Sequence, residues 1–168
     1  ERFLAFNFKI QPYGEKSSEP DTAKAKAVRQ AVANLIDRDE LATKVYKNTY
    51  TPLYSFIPDG LAAHSDTLKS AYGDGKGKPS ADKAKKVLSD AGVKTPVDLK
   101  LQYNSDHYGS SSADEYAAIK SQLESSGLFK VDLQSTEWTQ FNKERVVTDS
   151  SDGSYPVYQL GWFPDYSD

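Results

Sequence analysis

Segments of helical and of strand period take turns along this 168-residue chain, and that alternation limits the fold more than any other feature. Arg2 to Lys9 alternates, with Leu4, Phe6 and Phe8 on one face, which predicts a strand with one apolar face. Asp21 and Thr22 are possible N-caps for a helix whose Ala25, Val28, Ala31, Val32, Leu35 and Ile36 recur at helical spacing. Asp37 can cap a second helix, with Asp39 and Glu40 in its first turn where the helix dipole favours acid. Capping is the preferred reading of that acidic group over any catalytic one. Ser80 caps a third helix, with Gly92 as its stop. Val97 to Tyr103 alternates as a strand, Ser112 or Asp114 opens a fourth helix, and Phe129 to Leu133 alternates again. Trp138 to Val147 fits a short helix, and the stretch from Tyr155 begins as a strand. The order is β-α-α-loop-α-β-α-β-α-β. Strands separated by helices need crossover connections, so an α/β fold is expected, with a mixed or largely parallel sheet flanked by helices.

Length and composition set the outer bounds. The chain is long enough for one domain with a real core, read as residues 1–168. A net charge of -3, with lysines spread along the helices, gives no reason to expect nucleic acid as a partner. There is no cysteine, which excludes disulfides and thiolate metal sites. No apolar run reaches membrane-spanning length. The glycine- and lysine-rich loop Gly73 to Pro79 lacks the Gly-Lys-Ser/Thr ending of a phosphate-binding loop and reads as a surface turn.

The last fourteen residues, Tyr155 to Asp168, carry the strongest hint of function. A strand breaks at Gly161, and Trp162, Phe163, Pro164, Asp165 and Asp168 follow. Aromatics and carboxylates at a strand end resemble the mouth of a binding site, and a strand followed by an aromatic-capped loop accounts for them equally well. A chain that starts in a strand and stops here is expected to be a piece of something larger. Catalysis has little support. No Gly-x-Ser-x-Gly elbow occurs, His64 and His107 sit in separate loops, and near neighbours in a turn, as Asp165 and Asp168 are expected to be, rarely have the opposed geometry of an acid and a base. No cofactor or metal is expected.

Several segments together resemble the extracellular solute-binding proteins that feed peptide, dipeptide and nickel ABC importers, in that family's order. These are Phe3 to Phe8, Ala27-Val-Arg-Gln-Ala31 with Leu35-Ile-Asp-Arg38, and Ile57-Pro58. Further along come Asp82 to Gly92, Ile119 to Leu123 with Gly127, Thr136-Glu-Trp138 with Phe141, and Gly161-Trp162 with Asp165-Tyr166 and Asp168. The resemblance covers nearly the whole chain. It implies the C-terminal lobe of a bilobed, type II periplasmic-binding-protein-like clamp whose N-terminal lobe is missing here. It implies capture of a short peptide, delivery to a membrane permease, and a place in the periplasm or on the extracellular face of the membrane. Any signal or lipid anchor would lie outside this chain.

The resemblance also suggests ligand-binding residues. Asp165 matches the aspartate that pairs with a peptide's α-ammonium. Trp162 and Trp138 match tryptophans that wall side-chain pockets, although core packing accounts for Trp138 equally well. Arg145 matches a basic position by spacing alone. Phe163-Pro164 departs from the smaller residues usual there and would narrow the site. Oligosaccharide or a nickel complex as cargo, or a sensor reusing the fold, are the alternative readings.

Overall fold

A computed structural model of the chain describes residues 1–163. Its sheet is built from β1 (Arg2–Phe6), β2 (Val97–Asn104), β3 (Phe129–Thr136) and β4 (Val157–Gly161), in the order β1-β4-β2-β3. β2 pairs in parallel with β3, from Val97 opposite Phe129 to Asn104 opposite Thr136. It also pairs in parallel with β4, Leu101 facing Val157. β1 runs antiparallel on the far side of β4, so the sheet is mixed, as the order of elements implied.

The helices form where caps and apolar periodicity coincide. α1 (Thr22–Leu35) starts at Asp21, whose carboxylate accepts from the Lys24 amide at 3.0 Å. α2 (Arg38–Glu40) starts at Asp37, which accepts from the Glu40 amide at 2.9 Å, and it runs on into a π-turn over Leu41–Val45. The acidic group at 37–40 is thus helix capping. α3 (Thr67–Ala71) follows a long loop. α4 (Ala81–Asp90) is capped by Ser80, and α5 (Ser112–Ser125) and α6 (Trp138–Glu144) complete the helices among the described residues.

One core unites α1, α4, α5 and one face of the sheet. Ala31, Leu88, Leu99, Leu101, Leu123 and Val157 are almost wholly excluded from solvent. α6 lies on the opposite face, since Phe141 packs on Tyr158, and Tyr158 faces away from Val157 and the core. The loop at Gly73 to Pro79 lies at the surface, yet it is tied inward. Asn34 of α1 accepts from the Gly73 amide at 2.8 Å. A Cβ on Gly73 would stand 2.0 Å from the Lys78 carbonyl oxygen, so only glycine fits that turn.

The structure departs from the periodicity in four places. Pairing of β1 stops at Phe6, although the alternation runs on to Lys9. The Asn7 side chain accepts from the Lys9 amide at 2.9 Å and donates to the Asp152 carbonyl at 2.7 Å, which folds the backbone into a turn. Phe8 therefore points outward, 59% exposed, beneath the Arg29 guanidinium. β4 starts at Val157 rather than Tyr155, because Pro156 between them has no amide to give the ladder. β3 extends to Thr136, and α6 stops at Glu144.

Leu99, 1% exposed in the middle of the central strand, tests this core. Leu99→Ala is expected to cost about 2–5 kcal/mol. In urea titration the midpoint should fall with little change in slope.

Candidate ligand site at the carboxyl edge of the sheet

The three parallel strands β2, β3 and β4 all end at one edge of the sheet. From the end of β2 the chain continues into α5, on the core face. From the end of β3 it continues into α6, on the other face. Neighbouring parallel strands whose continuations part to opposite faces leave a crevice outside their carboxyl ends, where open α/β sheets bind ligands. Here that edge is occupied by the loop after Asn104 and the start of α6.

Asn104 shapes it. Fully buried, it joins all three strand ends. Its amide nitrogen in the backbone donates to Gln159 Oε1 of β4 at 2.9 Å, and its side chain donates to the Thr136 carbonyl of β3 at 3.0 Å. The same side chain donates to Asp106 Oδ1 at 2.6 Å and accepts from the His107 amide at 2.6 Å, bending the loop back on itself. Asp106 Oδ1 also accepts from the Trp138 amide at 3.0 Å, which fastens that loop to the first residue of α6. Gln159 donates onward to Ser112 Oγ at 3.1 Å and so ties in the start of α5.

The result is an aromatic cluster at the edge. His107 stacks on Trp138 with ring centroids 3.8 Å apart and planes within 7°. Tyr108 meets the Trp138 ring edge-on at 5.5 Å and 78°. Phe141 continues behind Trp138 at 6.0 Å and is itself stacked on Tyr155. Tyr108 is buried, His107 is exposed and Trp138 is half-buried. Such a surface offers flat apolar area with polar rims, suited to packing against a ligand.

A charged group lies beside it. Arg2, at the start of β1, donates to Glu115 Oε2 at 3.1 Å and to the Tyr46 hydroxyl. Tyr46 in turn donates to Glu115 Oε2 at 2.6 Å. Burial pushes the Glu115 carboxyl above the usual carboxylate range, against the opposing pull of Tyr46 and Arg2. Burial, reinforced by Glu115, likewise raises the Tyr46 phenol. Among the described residues no group of three or more His, Asp or Glu side chains could hold a metal ion.

Of the residues singled out from sequence, Trp138 opens α6 inside the cluster. Trp162 follows β4 at the same edge, its backbone still paired with Glu1 and its side chain 57% exposed. Phe163 is 80% exposed. Asp165 and Pro164 lie outside the described residues. Arg145 is not brought to this edge. It follows the far end of α6, where Ser154, just before β4, donates to the Glu144 carbonyl at 2.8 Å. There its guanidinium donates to Asn142 Oδ1 at 2.7 Å. His107, Tyr108, Asp106 and Arg2 were missed by sequence reasoning. The one legible signal was the run Asn104 to Tyr108, a polar and aromatic loop directly after a strand.

Comparison with known proteins gives one consistent picture. The family model for bacterial extracellular solute-binding proteins, family 5 Middle, matches residues 1–168. The periplasmic oligopeptide-binding protein OppA of Haemophilus influenzae is 27% identical over 142 residues, covering 83% of this chain and 25% of that protein. The dipeptide-binding protein DppE of Bacillus subtilis is 25% identical over 169 residues, covering 99% of this chain and 28% of that protein. Among solved structures, the unliganded open form of the periplasmic murein tripeptide-binding protein MppA superposes with a TM-score of 0.74. It is 24% identical, and the match covers 99% of this chain and 29% of that one. The substrate-binding domain of an oligopeptide ABC transporter from Bacillus anthracis is 27% identical with a TM-score of 0.70, covering 99% of this chain and 30% of that one. The chain thus spans less than a third of the length of these relatives.

The Asn104 amide makes a direct test of how the edge is held. Asn104→Ala leaves the Thr136 carbonyl and the His107 amide without their partner, and a stability loss of about 1–3 kcal/mol is expected. The near-ultraviolet circular dichroism of Trp138 should weaken with it, as the His107 loop loosens from α6.

Proposed function

Because this chain belongs to the bacterial extracellular solute-binding proteins, family 5, we propose that it is one lobe of a two-lobed clamp. That clamp captures a short peptide outside the cytoplasmic membrane and delivers it to an ABC permease. The observation that carries this reading is the aromatic cluster of His107, Tyr108 and Trp138, held at the carboxyl edge where β2 and β3 send the chain to opposite faces. A rigid aromatic wall gives large contact area with little loss of side-chain freedom, as peptide side chains of varied shape require. Two relatives, an oligopeptide-binding and a dipeptide-binding protein, point to the same cargo class.

In this reading Trp138 and Trp162 face the ligand's side chains, with Phe163 at the rim. Asp165 pairs with the peptide's α-ammonium, a charge-assisted bond that strengthens as the clamp closes and water leaves. Arg145, at the other end of α6, would need a long ligand or a different approach to take part. Contacts supplied by both lobes would favour the closed state.

Two expectations follow for calorimetry. The 168-residue chain alone should bind tripeptides weakly or not at all, and tight binding by it would overturn the need for a second lobe. In the full-length protein, Asp165→Ala should weaken a free-amino tripeptide by about 2 kcal/mol or more, and the N-acetylated form far less. Equal losses for both would rule out the ammonium role.

A further inference from the structure

The charged group beside the aromatic edge has no part in the peptide capture proposed above, yet its geometry reaches directly into it. The Arg2 guanidinium sits among three tyrosine rings, 5.3 Å from the centroid of Tyr46, 5.6 Å from Tyr50 and 5.8 Å from Tyr108. These are cation–π distances. Its charge is answered by Glu115, whose side chain is only 12% exposed, and the Tyr46 hydroxyl bridges the two. A buried ion pair is no stability gain over apolar residues of the same shape. What it supplies is a fixed position for the guanidinium plane.

Tyr108 is also hemmed in by Gly161. A Cβ there would lie 2.9 Å from Tyr108 Cε1, so the ring already occupies the space a side chain would need. Gly161 is also the residue that pairs with Arg2 in the β1–β4 ladder. Tyr108 therefore has Arg2 beside one part of its ring and the β4 backbone against another. Its ring sets the edge against which Trp138 and His107 pack, at 5.5 and 4.8 Å.

We infer that Arg2, clamped by Glu115 and Tyr46, is a positioning residue that fixes Tyr108 and through it the ring of Trp138. The flat guanidinium matters, since an ammonium is a compact, strongly hydrated charge with no plane to lay among the three tyrosine rings. The inference rests on the reading of Trp138 as a ligand wall only for its functional meaning. The contact chain from Glu115 to Trp138 stands without it.

The test uses the full-length protein labelled with 5-fluorotryptophan, with the Trp138 resonance assigned by Trp138→Phe. The double variant Arg2→Met/Glu115→Gln removes both charges and strands neither. It should stay folded by thermal melt, while the Trp138 fluorine resonance moves and broadens. The exposed pair variant Lys86→Met/Asp90→Asn, on α4, should leave that resonance in place. Arg2→Lys keeps the charge and should restore it only in part. A Trp138 resonance unmoved in the double variant overturns the inference. Should that variant fail to fold, an unmoved resonance in Arg2→Lys overturns it equally. Adding a tripeptide mixture to the unsubstituted protein separates the two readings. A Trp138 resonance indifferent to peptide counts against the ligand wall and leaves the role of Arg2 intact.

Discussion

The carboxyl edge of the sheet depends on one buried side chain, Asn104. Its carboxamide and backbone nitrogen satisfy groups from β3, β4 and the loop that follows β2, in a place where water cannot. An amide is suited to this because it donates and accepts at once, so a single residue can close several strand ends. The low dielectric around it strengthens each bond and makes any missing one costly. With the strand ends locked, the loop at Asp106 and His107 has one place to go, and Trp138 is delivered beside it.

The same edge shows how a sheet turns topology into a surface. β2 and β3 are paired along their whole lengths, and their exits part because α5 must bury Ile119 and Leu123 in the main core while α6 buries Phe141 on the other face. Hydrophobic burial on two faces thus sends the chain apart at the end of the sheet. Aromatic side chains fill that edge, since they can be half-buried against the core and still carry a polar rim. The Arg2 and Glu115 pair adds a layer behind them. That layer joins β1, at the sheet's edge, to the first turn of α5.

Much of this was legible in the chain. The N-caps at Asp21, Asp37 and Ser80 and the apolar spacing of α1, α4 and α5 are local features, and local hydrogen bonds and periodic burial decide them. The strands were visible over 97–103 and 129–133, because alternation matches a sheet with one buried face. Phe8 deceived the pattern, because an Asx turn at Asn7 overrode the alternation that continued through it. Of the candidate site, Trp162 stood out as a large aromatic at a strand end, and Trp138 through the family resemblance. Arg145 stood out by spacing, and α6 carries it to the opposite end from Trp138.

The sequence by itself determined the four strands and every helix but α3, a sheet mixed or largely parallel, and which family the chain resembles. The elements are written in spacing along the backbone, and the resemblance in residue motifs that follow the family's order. Only the tertiary structure decided that Arg2, Tyr46, Tyr108 and Glu115 meet, and that His107 lies on Trp138. Those residues are up to 113 positions apart, as Arg2 and Glu115 are. Their contacts depend on strand order and crossover, which bring distant chain segments to one edge and leave no periodic trace in the sequence.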